Sequence, residues 1–179
     1  MSQNKIEAGA IFPTTAVQSL DAGTVEDIAK PRGDADWKMV VVYRGRHCPI
    51  CTKYLNKLEQ GFVQRLAAIG IDTVAVSGDS RAQLEDHLEK LDVSFPIYYG
   101  LSIEQMQELG LYISHPRSEK ETDHPFAEPG LFVINDHNQV QVVDISNNPF
   151  VRPDPEQLVS GLEWIRKPDI NYPIRGTYK

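Results

Sequence analysis

Two cysteines separated by two residues, Cys48 and Cys51, are the side chains of this sequence best suited to chemistry, and the chain has no other cysteine. They end the segment RGRHCPIC, so Arg44, Arg46 and His47 come directly before them. A thiol at the first turn of a helix and beside positive charge loses its proton readily. The pattern therefore predicts a redox couple in which Cys48 is the nucleophile and Cys51 the resolving thiol.

Two other interpretations of the pair stay open at this point. C-x-x-C is also half of a common zinc site, but a zinc ion would need two further ligands, and the remaining histidines show no H-x₃₋₅-H spacing. The cysteines could also be buried structural residues at the end of a strand. Since the pattern itself favours redox chemistry, we expect no metal and no other cofactor.

Composition narrows the function classes. The chain has 179 residues, is 41% hydrophobic and 24% charged, and carries a net charge of −7. These values are typical of one globular domain and argue against nucleic acid as a partner. No apolar run approaches the roughly 18 residues of a membrane helix, and the start lacks the pattern of a secretory signal. We therefore expect a cytoplasmic protein without membrane contact, in which C-x-x-C serves redox or metal chemistry rather than structural cross-linking.

The apolar pattern places the cysteine pair between a strand and a helix. Residues 37–43 (WKMVVVY) predict a strand buried on both faces, and residues 52–69 carry apolar side chains every three or four positions, which predicts a helix. Gly70 is predicted to cap that helix. Further strands are predicted at 71–77, 131–134 and 140–145, with further helices near 80–91, 102–110 and 156–165. The order predicts an α/β fold: a central mixed sheet with helices on both faces.

Four segments then resemble a known family: MVVVYRGRHCPICTKYLNKL, VAVSGDS, FPIYYG and EPGLFVIND. They are similar to the thioredoxin-fold redoxins, and most of all to peroxiredoxin-like members of the alkyl hydroperoxide reductase/thiol-specific antioxidant (AhpC/TSA) family. The resemblance covers about residues 17–145. It implies a single thioredoxin-like domain over residues 1–179 with a family-specific tail from about 146, and a thiol-dependent oxidoreductase. It also implies a protein disulfide or a peroxide as substrate, thioredoxin or glutathione as reductant, and dimerisation.

The sequence departs from the family at three positions. Peroxiredoxins carry Pro-x-x-x-Thr-x-x-Cys, whereas this chain has Val41 and Gly45 at the proline and threonine positions. The arginine that peroxiredoxins place before the late strand is replaced by Pro129. In thioredoxin-like disulfide reductases this position holds a cis-proline. The resemblance therefore predicts that Glu128 and a cis Pro129 shape a substrate groove, in which the Glu128 backbone pairs with a substrate strand.

Charged residues elsewhere could supply what these positions lack. A peroxide-binding arginine could come from Arg44, or from Arg152 or Arg175 in the tail. The buried acid of thioredoxins is replaced by Val42, so proton removal from Cys51 would fall to water, His47 or Glu128. The polar loop at residues 115–125 is predicted to be a mobile flap over the pair.

The sequence thus supports three functions. The departures from the family pattern favour thiol–disulfide exchange through Cys48 and Cys51, and this is the function we expect. The overall resemblance favours the alternative, a peroxidase that reduces hydrogen peroxide or alkyl hydroperoxides. A second alternative is a non-catalytic binding protein that keeps the redoxin scaffold.

Overall fold

A computed structural model describes residues 4–21 and 23–179 of the chain. Residues 1–3, which belong to the start that lacks a secretory pattern, and Ala22 lie outside the described residues. The strands are β1 (Ala16–Gln18), β2 (Val25–Asp27), β3 (Trp37–Val42), β4 (Ile71–Val76), β5 (Ile97–Tyr98), β6 (Ile113–Ser114), β7 (Phe126–Ala127), β8 (Gly130–Ile134) and β9 (Val140–Ile145). The helices are α1 (Pro49–Glu59), α2 (Phe62–Ala68), α3 (Arg81–His87), α4 (Ile103–Glu108) and α5 (Pro155–Ile165), with a 3₁₀ turn at Leu88–Lys90.

The central sheet is mixed, as the sequence predicts. Its strand order is β5-β4-β3-β8-β9. β3 pairs in parallel with β4 and antiparallel with β8, and β9 returns antiparallel beside β8. β3 is therefore the central strand, and its carboxyl end is where the cysteine segment begins.

The valine-rich run of β3 is continuous because both faces of the sheet are covered. Met39 and Val41 pack on one side with apolar residues of α1, α2, α3 and α5. Val40 and Val42 pack on the other side with Met106 of α4 and its neighbours. Since successive side chains of a strand point to opposite faces, the part of β3 that lies between the two helical layers is apolar on both faces, whereas Lys38 near its start is buried in an ion pair with Asp72.

The predicted helix at 52–69 is two helices. Gln60 closes α1 and Gly61 precedes α2 with φ 92°, a left-handed conformation that glycine adopts without steric cost. The apolar period continues across the break because both helices pack on the same core. Gly70 has φ 80°, in agreement with the predicted cap. The division of the whole chain into one domain with a tail from about residue 146 stays a prediction.

Candidate active site

The two cysteines occupy the junction between β3 and α1. Cys48 is the residue before the first turn of α1, and Pro49 begins the helix, where its missing N–H costs no hydrogen bond. The Cys51 backbone N–H donates to Cys48 Sγ at 3.3 Å, and the Cys51 thiol donates to the same sulfur at 2.7 Å. Both cysteines are free and buried; Cys48 is 2% exposed and Cys51 fully buried.

The surroundings of the pair separate the acidities of its two thiols. The pKa of Cys48 is lowered to about 6, first of all by the hydrogen bond from the Cys51 side chain. The Cys51 backbone N–H, Arg44 and Arg152 lower it further, whereas burial raises it. Burial raises the pKa of Cys51 far above its usual value, and the hydrogen bond to Cys48 adds to this rise. Near neutral pH the pair therefore holds one thiolate, at Cys48, and one thiol, at Cys51.

Arg44 lies on one side of Cys48 and is held by acidic residues. Its Nε is 3.2 Å from Oε1 and 3.0 Å from Oε2 of Glu128, and its Nη2 is 3.9 Å from Glu121. The guanidinium also lies 4.7 Å from the centre of the Phe126 ring. Glu128 is 3% exposed, so this ion pair is largely shielded from water. Arg44 is thereby fixed beside the thiolate.

Arg152 approaches the pair from the segment between β9 and α5. Its Nη2 lies 2.6 Å from Cys51 Sγ, and its guanidinium lies 5.2 Å from the centre of the Tyr54 ring. Nη1 is buried and has no hydrogen-bond partner among the described residues. Arg152 also lines a small crevice together with Pro129. The guanidinium therefore stands next to the position where peroxiredoxins carry their arginine and this chain carries proline.

Three of the predicted supporting cations do not bond to the thiols. The Arg46 guanidinium pairs with Asp86 at 3.0 Å. Both ring nitrogens of His47 are buried without a partner among the described residues, and burial, followed by the charge of Arg44, lowers its pKa. The Arg175 guanidinium lies over the Tyr172 ring. Of the tail arginines considered as replacements, the structure brings Arg152 to the pair.

The predicted cis bond before Pro129 is wrong, while a substrate groove at Glu128 and Pro129 stays a prediction. No described peptide bond is cis, so the bond before Pro129 is trans. The backbone N–H of Glu128 donates to the carbonyl of Tyr112 at 2.8 Å. β6 pairs with β7 at this edge, so the backbone that would receive a substrate strand is already bonded within the chain. The Glu128 side chain faces Arg44 instead.

Asp79 is a site residue that the sequence did not single out. It is fully buried and accepts a hydrogen bond from the backbone N–H of Arg46 at 2.8 Å. Its other oxygen lies 3.2 Å from His124 Nε2, in the 115–125 loop. The signals were its place in the VAVSGDS segment that resembles the family, and its position shortly after β4, where polar side chains of parallel strands gather. Asp79 therefore joins the turn before Cys48 to the loop predicted as a flap.

The loop itself packs against the site. The Gln83 side chain donates to Asp123 at 2.9 Å, and Glu121 approaches Arg44. Thr122 is 7% exposed. The loop is thus tied to α3 and to the turn before Cys48, while its role as a gate stays a prediction.

The chain belongs to the AhpC/TSA family. That family's model matches residues 8–143, about three quarters of the sequence. The pair of thiols described above is therefore part of a thiol-based oxidoreductase. Within the described residues, no group of three or more His, Cys, Asp or Glu side chains could hold a metal ion, and no helix is long and apolar enough to cross a membrane.

Solved structures share the fold at low sequence identity. A peroxiredoxin-like protein from Aquifex aeolicus matches with a TM-score of 0.72 at 14% identity, covering 92% of this chain and 90% of its own. A mutant of peroxiredoxin 6 from Arenicola marina matches with a TM-score of 0.71 at 17% identity. The match covers 88% of this chain and 72% of that protein's chain. AhpC from Mycobacterium tuberculosis matches with a TM-score of 0.68 at 15% identity. The match covers 92% of this chain and 100% of that protein's chain. No curated protein matches the chain. The thioredoxin-like fold is thus confirmed.

Proposed function

We propose that this protein is a thiol peroxidase with Cys48 as the peroxidatic thiolate and Cys51 as the resolving thiol. The observation that carries the proposal is the placement of the two sulfurs. Cys48 has a low pKa, is only 2% exposed and has Arg44 beside it, and Arg152 contacts the sulfur of Cys51. A peroxide is small enough to enter such a site, whereas a protein disulfide needs an exposed sulfur to attack. The trans bond at Pro129 and the paired backbone of Glu128 also argue against docking of a substrate strand.

The proposed reaction has two steps. The Cys48 thiolate attacks the terminal oxygen of the peroxide; the O–O bond breaks, Cys48 becomes a sulfenic acid, and the leaving oxygen takes a proton from water. The Cys51 thiol then attacks the sulfenic acid, which forms the Cys48–Cys51 disulfide and releases water. An external thiol reductant returns two electrons to the disulfide. Arginine donors near the leaving oxygen would stabilise the charge that develops there.

The experiment compares two substrates of the reduced protein, hydrogen peroxide and the disulfides of insulin. The reduced protein is mixed with hydrogen peroxide, and disulfide formation is followed by mass against free glutathione as a slow reference. In parallel, the reduced protein is tested for reduction of insulin disulfides. We expect oxidation by peroxide that is orders of magnitude faster than that of glutathione, and little insulin reduction.

The opposite result, fast insulin reduction with slow peroxide oxidation, would restore thiol–disulfide exchange as the function. Cys48→Ser should abolish the peroxide reaction. Cys51→Ser should let it proceed once and stop at the sulfenic acid, which dimedone can trap.

A further inference from the structure

A groove lies beside the cysteine pair, between α1 and residues 149–155. Its volume is about 350 Å³. The Tyr54 hydroxyl donates to the carbonyl of Pro153 at 2.8 Å and holds the two sides together. Residues 149–155 lie outside the part of the chain that the family model matches. The groove therefore lies between α1, which belongs to the matched part of the chain, and a tail segment outside it.

The groove is too large for hydrogen peroxide alone. Hydrogen peroxide needs little more room than a water molecule, which occupies ~30 Å³ in the liquid. A volume of about 350 Å³ is within the range of small-molecule sites, which begins at roughly 300 Å³. The site therefore has space for an organic group attached to the peroxide.

The walls of the groove are apolar. Apart from its charged residues, the lining consists of Ile50, Tyr54, Pro149, Phe150, Pro153 and Pro155. Phe150 is 78% exposed and Ile50 38% exposed, so a ligand that covers them would remove apolar surface from water. An aliphatic chain suits these walls.

The charges of the groove are mainly positive. Lys53 and Lys57 stand one turn apart on α1, and Arg152, whose Nη2 contacts Cys51, also lines the groove. Asp154 is the one acidic residue of the lining, and its Oδ1 is 4.0 Å from Lys57 Nζ. The Cys48 thiolate offsets the charge of Arg152, and the one carboxylate offsets one of the two lysines, so one positive charge remains to attract an anion.

We propose that this groove binds an organic hydroperoxide that carries a carboxylate. The carboxylate lies at Lys53 and Lys57, the aliphatic chain lies along Ile50 and Phe150, and the hydroperoxide reaches Arg152. This inference rests on the proposed peroxidase function. It adds a substrate class and a charge preference to that function.

Arg152 connects the groove to the cysteine pair, neither member of which lines it. Arg152 Nη2 is bonded to Cys51, but Nη1 is buried without a partner among the described residues, and is available to the leaving oxygen. Cys48 takes the terminal oxygen and becomes a sulfenic acid, while the rest of the substrate leaves as the alcohol after protonation by water. Cys51 then closes the disulfide, and an external thiol reductant opens it again.

The test uses two probes that differ only in charge: octanoic acid with a terminal hydroperoxide, and its methyl ester. The rate of Cys48–Cys51 disulfide formation is measured for each probe with the reduced full-length protein. We expect the acid to react about three- to tenfold faster than the ester at low ionic strength, as suits exposed lysines. The ratio should approach one as salt shortens the Debye length from ~10 Å at 0.1 M to ~3 Å at 1 M.

Variants assign the preference to the groove. Lys53→Gln combined with Lys57→Gln should bring the acid-to-ester ratio close to one. Lys90→Gln combined with Lys167→Gln, which removes two exposed lysines elsewhere, should keep the wild-type ratio. Circular dichroism and thermal unfolding verify that each variant is folded.

The outcomes separate this inference from the proposed function. Equal rates for acid and ester in the wild type, together with fast reaction with hydrogen peroxide, would overturn the groove proposal and leave the peroxidase intact. Slow reaction of the wild type with every peroxide would overturn the peroxidase itself. A charge preference that survives the Lys53/Lys57 change would place the anion site elsewhere and also overturn the proposal.

Discussion

Arg152 Nη2 lies 2.6 Å from the sulfur of Cys51, although the two residues are 101 positions apart in the chain. The contact joins a segment outside the family match to the thiol that is predicted to resolve the sulfenic acid. The charge of Arg152 favours the thiolate form of both cysteines. It also stands beside Pro129, where the family arginine is missing. Under the proposed peroxidase function, Arg152 would take the role of the arginine that Pro129 replaces.

Replacement of Arg152 should slow the reaction with peroxide. Arg152→Gln removes the charge and the forked donors, and we expect the rate of Cys48 oxidation by hydrogen peroxide to fall about 100-fold, as for the loss of one donor to a developing oxyanion. Arg152→Lys keeps the charge without the fork and should lie between. Stopped-flow oxidation of the reduced proteins measures both. Arg175→Gln is the matched control from the tail and should react like the wild type; equal rates for Arg152→Gln would show that the contact is only structural.

Loss of the Cys51 thiol should raise the pKa of Cys48. The hydrogen bond from that thiol is the largest cause of the low value of about 6. Because Cys51→Ala removes this bond while the effect of burial stays, the pKa of Cys48 should rise. Cys51→Ser keeps an O–H donor and should shift the pKa less. Thiolate absorbance in the ultraviolet, followed from pH 4 to 9, gives the midpoints. The wild type should form its thiolate near pH 6, and Cys48→Ser should show none there because burial raises the pKa of Cys51.

An unchanged midpoint in Cys51→Ala would mean that the positive charges, rather than the thiol pair, lower the pKa of Cys48. In that case Arg44→Gln should have the larger effect, since the Arg44 side chain is the next bonded group that lowers this pKa.

The sequence predicted the parts of the site that depend on neighbouring residues. The β3 strand and the place of the cysteine pair between a strand and a helix follow from an apolar run and the amphipathic segment after it, although α1 begins at Pro49, three residues before the predicted start at 52. These features are local, so a few adjacent residues are enough to predict them. The central sheet follows in the same way from the apolar runs of its longer strands.

The sequence alone did not predict which distant residues contact the site. Arg44, Arg152 and Arg175 were equal candidates, because no local rule tells which distant cation folds onto a thiol. The predicted cis bond at Pro129 was wrong because the C-x-x-C pattern alone does not determine the isomer of a distant X–Pro bond. The hydrogen bond from the Glu128 backbone to Tyr112 was not predicted, because the neighbouring β6 has only two residues and no recognisable pattern. Asp79 stayed hidden because its partners, the Arg46 backbone and His124, come from separate segments.

Gly45→Ala should destabilise the turn before Cys48. A Cβ at this position would lie 2.6 Å from Asp79 Oδ1, and φ of Gly45 is 143°, which side chains rarely adopt. We expect a loss of about 1–3 kcal/mol in the free energy of unfolding, measured by urea denaturation. Gly161→Ala is the control: this glycine is inside α5 with open space around it, and alanine there should be neutral or stabilise by about 0.5–1 kcal/mol. A Gly45→Ala protein as stable as the wild type would mean that Asp79 moves freely and does not fix the turn.

The contact between His124 and Asp79 should make the 115–125 loop sensitive to pH. The hydrogen bond to Asp79 is the largest cause that raises the pKa of His124, with the Asp79 carboxylate fully buried. A raised folded-state pKa contributes stability below the unfolded value of about 6.5, and this contribution is lost as the pH rises through the folded value. Limited trypsin cleavage at Arg117 and Lys120, normalised to a peptide substrate at each pH, should therefore become about two- to fivefold faster from pH 6 to pH 8.5. His124→Gln should abolish this pH dependence, and a wild-type loop that is cleaved equally at both pH values would show that the ion pair does not hold it.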